Sequence, residues 1–140
     1  MVMSKHDIPG TQKFAVTIPK LADKVEGEWV TFVAPFKCVV YGIDLVAGEA
    51  WVGLTDATNY EKFIAYSRGV NGTASAVALG TVLGSAAGTP IYQGSIKALY
   101  SSTTGTPVAA NSTFTVRLGT AGAGSTAPPA MTVITSFKAA

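Results

Sequence analysis

The stretch TFVAPFKCVVYGIDLVAGEAWVGLT, residues 31–55, decides the fold class. Apolar and β-branched residues dominate it, and only three of its residues are charged. Pro35 divides the stretch, and proline is excluded from the interior of a central strand because it has no N–H for the ladder. The stretch therefore predicts two strands, near 28–34 and 37–46, joined by a tight corner at APFK.

Apolar side chains recur with a period of two along most of the chain, as in half-buried strands. Phe114, Val116 and Leu118, for example, alternate with more polar neighbours. The expected strands lie near 12–18, 28–34, 37–46, 50–55, 61–67, 75–83, 94–100, 113–118 and 131–137. The expected core consists of Phe14, Val16, Ile18, Trp29, Phe32, Val39, Tyr41, Ile43, Leu45, Phe114, Val116 and Leu118.

Clusters of Gly, Pro, Asn and Thr separate these strands at intervals of roughly 8–12 residues, a spacing typical of β-sandwiches and barrels. The segment NYEKFIAYSRG, residues 59–69, does not alternate cleanly, so a strand is expected there with a short helix as the alternative. A chain of 140 residues favours one domain. The prediction is an all-β, antiparallel β-sandwich over residues 11–140, with an N-terminal arm at 1–10, a loop at 119–130 and a final strand near 131–137.

The composition favours a subunit of a larger assembly. Charged residues make up 13% of the chain, against about 25% in an ordinary soluble domain. The mean hydropathy is +0.35 and the formal net charge is +2. Large exposed apolar patches usually mark interfaces, and a net charge near zero favours association.

No signal peptide or membrane span is expected. The N-terminal MVMSKHDIPG lacks the apolar region of a secretory signal, and no run reaches the roughly 18 apolar residues of a spanning helix. The chain is thus expected to be made in a cytoplasm and to have no membrane partner. The single cysteine allows no intrachain disulfide.

Residues that could carry catalysis or bind a metal are few, and each has a simpler interpretation. His6, the one histidine, stands beside Asp7 in the expected arm, and one histidine provides no ligand pair for zinc. Cys38 lies in an apolar strand with no histidine near it in sequence, so a buried thiol is expected. Glu26 and Glu28 share a strand face and are interpreted as solvent-facing carboxylates. Asp56, Asn59 and Glu61 lack the spacing of a calcium loop and are interpreted as a turn. No catalytic, cofactor-binding or metal-binding residue and no cofactor is predicted.

The sequence contains two weak indications of a binding function, a pair of glycosylation sequons and a set of aromatic residues, and none of nucleic-acid binding. The chain's basic residues are scattered, whereas nucleic-acid binding needs a clustered stripe, so no nucleic-acid partner is predicted. Asn71 and Asn111 open glycosylation sequons, which mean little without a secretory signal. Six aromatic residues could form a sugar-stacking platform, although aromatics in sandwiches mostly fill the core. They are Trp29, Trp51, Tyr60, Tyr66, Tyr92 and Tyr100.

The segment WVTFVAPFKCVVYGIDLVAGEA, residues 29–50, resembles a pattern of small tailed-phage structural proteins: an apolar strand, an Ala-Pro corner and a strand that ends in Gly. The turn-rich segments GTASAVALGTVLGS and STFTVRLGTAGAG resemble the second halves of the same proteins. The family is that of the jelly-roll decoration, or cement, proteins of phage capsids, with related head and tail fibre tips. The likeness covers most of the chain loosely, through short motifs.

The resemblance implies a jelly-roll-like sandwich and a structural virion protein that binds the outer surface of an icosahedral phage head and stabilises it. Its partners would be the major capsid protein and further copies of itself, as a homotrimer. The family pattern contains no active-site residues to carry over. A receptor- or sugar-binding fibre tip is the alternative hypothesis, and an enzyme is the third. A fibre tip needs a stalk, and ten residues before Thr11 hold no heptad repeat, which favours the cement hypothesis.

Overall fold

The computed structural model describes residues 10–51, 58–83, 91–122 and 127–140. Within these ranges the chain forms strands and turns and no helix. The eight strands are β1 (Thr11–Ile18), β2 (Gly27–Val33), β3 (Cys38–Ala47), β4 (Tyr60–Val70), β5 (Val77–Leu83), β6 (Ile96–Val108), β7 (Ser112–Ala121) and β8 (Met131–Ala139).

The strands form two four-stranded antiparallel sheets that face each other. The first sheet has the order β1-β8-β3-β6, and the second has the order β2-β7-β4-β5. Most connections therefore cross from one sheet to the other, and the two orders together are those of an eight-stranded jelly roll. The predicted all-β antiparallel sandwich is confirmed.

The corner at Pro35 carries the chain from the second sheet to the first. β2 ends at Val33 and β3 begins at Cys38. Ala34 keeps its main-chain groups paired, because its N–H donates to the Ser112 carbonyl over 2.9 Å and its carbonyl accepts from Asn111 N–H over 2.8 Å. Proline favours an extended backbone in the residue before it. Ala34 therefore has the conformation needed for these last two hydrogen bonds before the turn.

The core lies between the sheets, and Phe32 on β2 is near its centre. Its ring centroid is 4.8 Å from that of Phe137 on β8 and 6.0 Å from that of Phe114 on β7. Both partners are buried, as is Phe32. The cluster thus joins the two sheets through aromatic contacts, which contribute beyond their buried area when the rings are tilted.

The prediction of which residues face the core is wrong for the first part of β3. Ile43 and Leu45 are buried as expected, but Val39 and Tyr41 are only half-buried, and Val40 takes the inward position. The register with both neighbouring strands shifts between Val40 and Gly42. A bulge adds one residue to a strand and so reverses which residues face the core.

Three other expected core residues lie nearer the surface. Phe14 is 49% exposed, because β1 is an edge strand and pairs with β8 alone among the described strands. Val16 on the same strand is half-buried, and Trp29 is half-buried at the margin of the core. The remaining expected core residues, Ile18, Phe32, Ile43, Leu45, Phe114, Val116 and Leu118, are buried.

Residues 60–69 of the segment 59–69 belong to strand β4, so the strand prediction is confirmed and the helix alternative is wrong. Of the strand expected near 50–55, the described residues include Ala50, which is in no strand, and Trp51, which forms an isolated bridge with Ile91. Residues 52–57 lie outside the described residues. The strand expected near 94–100 is longer, because β6 continues to Val108.

The loop expected at 119–130 is shorter and better packed than predicted. Its first residues, up to Ala121, belong to β7. Ala127 and Pro128 are buried, and Ala127 N–H donates to the Asp23 carboxylate over 2.8 Å. Residues 123–126, like the arm residues 1–9, lie outside the described part of the chain.

Candidate functional site

An open groove of about 610 Å³ lies on the solvent-facing side of the second sheet. Thr113 and Thr115 on β7 form its floor, with β2 on one side and the β4–β5 turn on the other. We call it the outer groove, and its lining residues are Glu28, Val30, Val33, Arg68, Asn71, Gly72, Thr113 and Thr115. Val30 and Val33 are 55% and 46% exposed, so apolar surface stands beside charged and hydroxyl groups.

An ion pair crosses β7 at this groove. Arg68 Nη2 donates to both carboxylate oxygens of Glu28, over 2.5 and 2.6 Å. The Arg68 guanidinium also lies 5.4 Å from the centre of the Tyr66 ring, within cation–π range. The pair links β2 to β4 above the middle strand and leaves part of both side chains exposed to solvent. Its contribution to stability is therefore small, below about 1 kcal/mol.

A second polar cluster fixes the beginning of β2. The Glu26 carboxylate accepts from Thr120 N–H over 3.0 Å, from the Thr120 hydroxyl over 2.9 Å and from Arg117 over 2.9 Å. The main-chain hydrogen bond from Thr120, then the bond from Arg117, lowers the pKa of Glu26 from 4.5 to about 2. The Arg117 pKa is raised by the same contact.

The contacts of Glu26 are expected to make a contribution to the free energy of unfolding that depends on pH. Because the pKa of Glu26 is lower in the folded chain, its contribution is complete above about pH 4.5 and is lost as the pH falls to about 2. We expect Glu26→Gln to lower the thermal midpoint at pH 7, and the difference from wild type to disappear near pH 2. Glu49→Gln, in the exposed turn after β3, controls for the loss of one negative charge. An equal difference at both pH values would contradict the prediction.

An apolar cleft of about 230 Å³ opens between β5 and β6, where the edges of the two sheets meet. We call it the edge cleft; its lining residues are Val40, Ser67, Val77, Leu79, Tyr100, Thr106, Val108 and Phe114. The Tyr100 and Thr106 hydroxyls are hydrogen-bonded to each other, and this takes up the main polar groups at its rim. Most of the described lining of the cleft is therefore apolar, with the Ser67 side chain as a further polar group.

Cys38 is fully buried at the start of β3, as predicted from the sequence. Burial raises the pKa of its thiol, which keeps it protonated at neutral pH. We expect the folded protein to react with a thiol reagent only at the rate of unfolding. Cys38→Ser is expected to lower the free energy of unfolding by about 1–3 kcal/mol, because a hydroxyl would be buried. Rapid labelling under native conditions would contradict the buried assignment.

Among the described residues, the carboxylates singled out from the sequence do not form one cluster. Glu26 and Glu28 are exposed, as interpreted, but each pairs with a different arginine. Glu61 differs from the interpretation as a turn residue, because it lies on β4 and is 1% exposed. His6, Asp7 and Asp56 lie outside the described residues. Over the described ranges, no three His, Cys, Asp or Glu side chains are grouped so that they could hold a metal ion.

The six aromatic residues do not form one platform. Trp51 is buried and meets Phe63 edge-on at 6.0 Å, and Trp29 and Tyr100 pack against the core. Tyr66 lies beneath Arg68 at the outer groove, whereas Tyr92 is 61% exposed in the turn before β6. The core interpretation holds for half of the set, and Tyr66 is the member that borders the outer groove.

The backbone conformation explains why asparagine stands at the two sequon positions, and the sequence alone did not indicate this. Asn71 and Asn111 have φ angles of 58° and 65°, and the Asn71 N–H donates to the Asn111 carbonyl over 2.9 Å. Asparagine tolerates this left-handed conformation better than most residues. Both therefore support adjacent turns, between β4 and β5 and between β6 and β7.

Comparison of the chain with protein-family models, with curated proteins and with solved structures finds no match. In the parts of the chain that the structure describes, no helix is long and apolar enough to cross a bilayer. The outer groove, the edge cleft and the exposed apolar side chains are the features of the described chain that bear on its function.

Proposed function

We propose that the protein is a structural virion protein: a decoration, or cement, protein that binds the outer surface of an icosahedral phage head and stabilises it. The observation that carries the proposal is the amount of apolar surface left exposed on the sandwich. Large apolar side chains on both sheets and in their loops are 44–66% exposed: Phe14, Val25, Val30, Val33, Val70, Val77, Tyr92 and Ile96. Such surface in a chain with 13% charged residues favours burial against partner proteins.

The jelly roll supports the proposal without deciding it. This architecture occurs in viral capsid domains and in lectins, and a fold alone does not determine function. The outer groove is open and its charged groups are already paired, as in the polar margin of a protein interface. The partners in this proposal are the major capsid protein and further copies of the chain, and a homotrimer on the virion surface is the assembly that the sequence resemblance implies.

The test is co-sedimentation with phage heads. The chain is mixed with heads assembled from the major capsid protein encoded in the same genome, and the pellet is quantified. We expect saturable binding at a fixed number of copies per capsid subunit, and heads that withstand heat or chelators better when they are coated. Heads that sediment without the chain at saturating concentration would contradict the proposal.

Removal of residues 1–10 is expected to weaken this attachment while the sandwich stays folded. An extended arm of ten residues spans at most about 35 Å, which is enough to reach a neighbouring subunit. Head occupancy is measured by co-sedimentation, and the thermal midpoint of the shortened chain serves as the folding control. Full occupancy by the shortened chain would contradict the expected role of the arm.

A receptor- or sugar-binding module of a phage fibre tip is the second candidate. The outer groove favours it, since about 610 Å³ lies within the usual range of small-ligand sites. Arg68 and Glu28 could exchange their present contact for hydrogen bonds to the hydroxyls of a saccharide, and Asn71 lies in the same groove. Binding on a glycan array that is lost in Arg68→Ala, without binding to heads, would favour this candidate over the first.

A further inference from the structure

The floor of the outer groove contains a buried hydroxyl that is not hydrogen-bonded. Thr115 lies in the middle of β7, lines the groove and is 5% exposed. Its Oγ1 atom is buried and makes no hydrogen bond to any described residue. The neighbouring Thr113 hydroxyl differs, because it donates to the Asn111 carbonyl over 3.3 Å. A buried polar group without a partner destabilises a fold, so a native site that keeps one calls for an explanation.

The Glu28–Arg68 ion pair passes over this hydroxyl. Thr115 is paired with Val30 of β2 on one side and with Tyr66 of β4 on the other. Both strands run antiparallel to β7, and Glu28 lies two residues before Val30, whereas Arg68 lies two residues after Tyr66. The line from Glu28 to Arg68 therefore crosses β7 at Thr115. Because the pair is partly exposed, it contributes little to stability and can be separated at low cost.

The groups around this hydroxyl determine the class of ligand. Glu28 and Arg68 are the charged residues of the described lining, and their charges cancel, so the groove does not favour an ionic ligand. When they separate, Arg68 donates hydrogen bonds, Glu28 accepts them and Thr115 does both. Val30 and Val33 add exposed apolar surface. Hydroxyls that donate and accept, beside an apolar C–H face, are the features of a sugar ring.

We propose that the outer groove binds an uncharged saccharide, and that one of its hydroxyls separates Glu28 from Arg68 and hydrogen-bonds to Thr115. The inference rests on the saccharide-binding candidate above and adds the charge class of the ligand and the group that selects it. Arg68 and Glu28 only exchange one partner for another on binding, whereas the Thr115 hydroxyl gains a partner that it lacks. The bond to Thr115 therefore has the largest net effect on affinity.

The test removes the hydroxyl and keeps the shape of the side chain. Thr115→Val is expected to raise the thermal midpoint without a ligand, because it removes an unpaired buried group. Thr135→Val on β8 is the matched control, since the Thr135 hydroxyl is also buried and has no partner among the described residues, but lies away from the groove. Both variants are expected to be at least as stable as wild type, so a loss of binding in one of them cannot be attributed to unfolding.

Binding is measured first on an array of neutral and acidic glycans and then by calorimetry with the neutral glycan that gives the strongest signal. Wild type and Thr135→Val are expected to bind it equally, and Thr115→Val about ten-fold more weakly, the effect of one hydrogen bond. Thr115→Ser restores the hydroxyl and is expected to restore the affinity.

Three results would overturn the inference, and they differ in what else they affect. Equal affinities of Thr115→Val and wild type would remove the role of Thr115, and the saccharide-binding candidate would then depend on Arg68→Ala alone. Binding of acidic glycans only would contradict the uncharged class but not the candidate. Binding to no glycan would refute the inference and the candidate together, and would leave the decoration proposal as it stands.

Discussion

Truncation of Phe32 to alanine is expected to lower the free energy of unfolding by about 3–5 kcal/mol, the usual cost of removing a buried aromatic ring. Phe32 is 3% exposed and contacts rings from three other strands. Phe114 belongs to its own sheet, whereas Phe14 and Phe137 belong to the facing one. A cavity at this position would remove contacts between the sheets as well as within one of them.

Phe14→Ala is the matched control, because it removes the same ring from the margin of the same cluster. Phe14 is 49% exposed and its ring lies 6.1 Å from that of Phe32. Because about half of the ring is already exposed, Phe14→Ala is expected to lose about half of the free energy gained by burying a full side chain, or about 1 kcal/mol. Urea denaturation followed by tryptophan fluorescence measures both variants. Similar costs for the two truncations would show that Phe32 is not the main contact between the sheets.

The strands of this protein could be predicted from local sequence because apolar and polar residues alternate along every strand that has no bulge. On β7, Phe114, Val116 and Leu118 are all buried, as the pattern predicts, although Thr113 and Thr115 between them are buried as well. β3 shows the limit. The bulge near Tyr41 is determined by pairing with β6 and β8, which lie far away in sequence, so the reversal of its inward face has no local signal.

Edge position could not be predicted either. Phe14 and Val16 alternate with their neighbours as buried residues do, yet in the described part of the chain β1 has a neighbouring strand on one side only. Alternation indicates which side of a strand faces the core, but the number of neighbouring strands decides how much of that side is covered. The strand order depends on contacts between segments up to about the full chain length apart.

The polar contacts of the outer face were missed for the same reason. Glu28 and Arg68 are 40 residues apart, and Glu26 and Arg117 are 91 residues apart. The prediction that Glu26 and Glu28 are exposed is confirmed, but β2 begins at Gly27, so Glu28 alone of the two lies on the strand. Their partners depend on β7 lying between β2 and β4, which no local pattern could reveal.

Replacement of Gly80 by alanine is expected to destabilise the fold by about 3 kcal/mol, at the upper end of the usual cost of overpacking. Gly80 lies on β5, directly over β6, and a Cβ atom there would overlap the main-chain carbonyl oxygen of Leu99. A main-chain oxygen cannot rotate away as a side chain can. The added methyl group must therefore push β5 and β6 apart, and with them the two sheets at the edge cleft.

Gly119→Ala on β7 separates this steric effect from the general effect of replacing a glycine. A Cβ atom at Gly119 would have no neighbour closer than 3.8 Å. Where the backbone conformation suits alanine, the substitution stabilises by about 0.4–1 kcal/mol, because it restricts the unfolded chain. The two variants are therefore expected to shift the urea midpoint in opposite directions. If Gly80→Ala leaves the midpoint unchanged, β5 can move away from β6 at little cost, and the close approach of the two edges is not needed to hold the sandwich together.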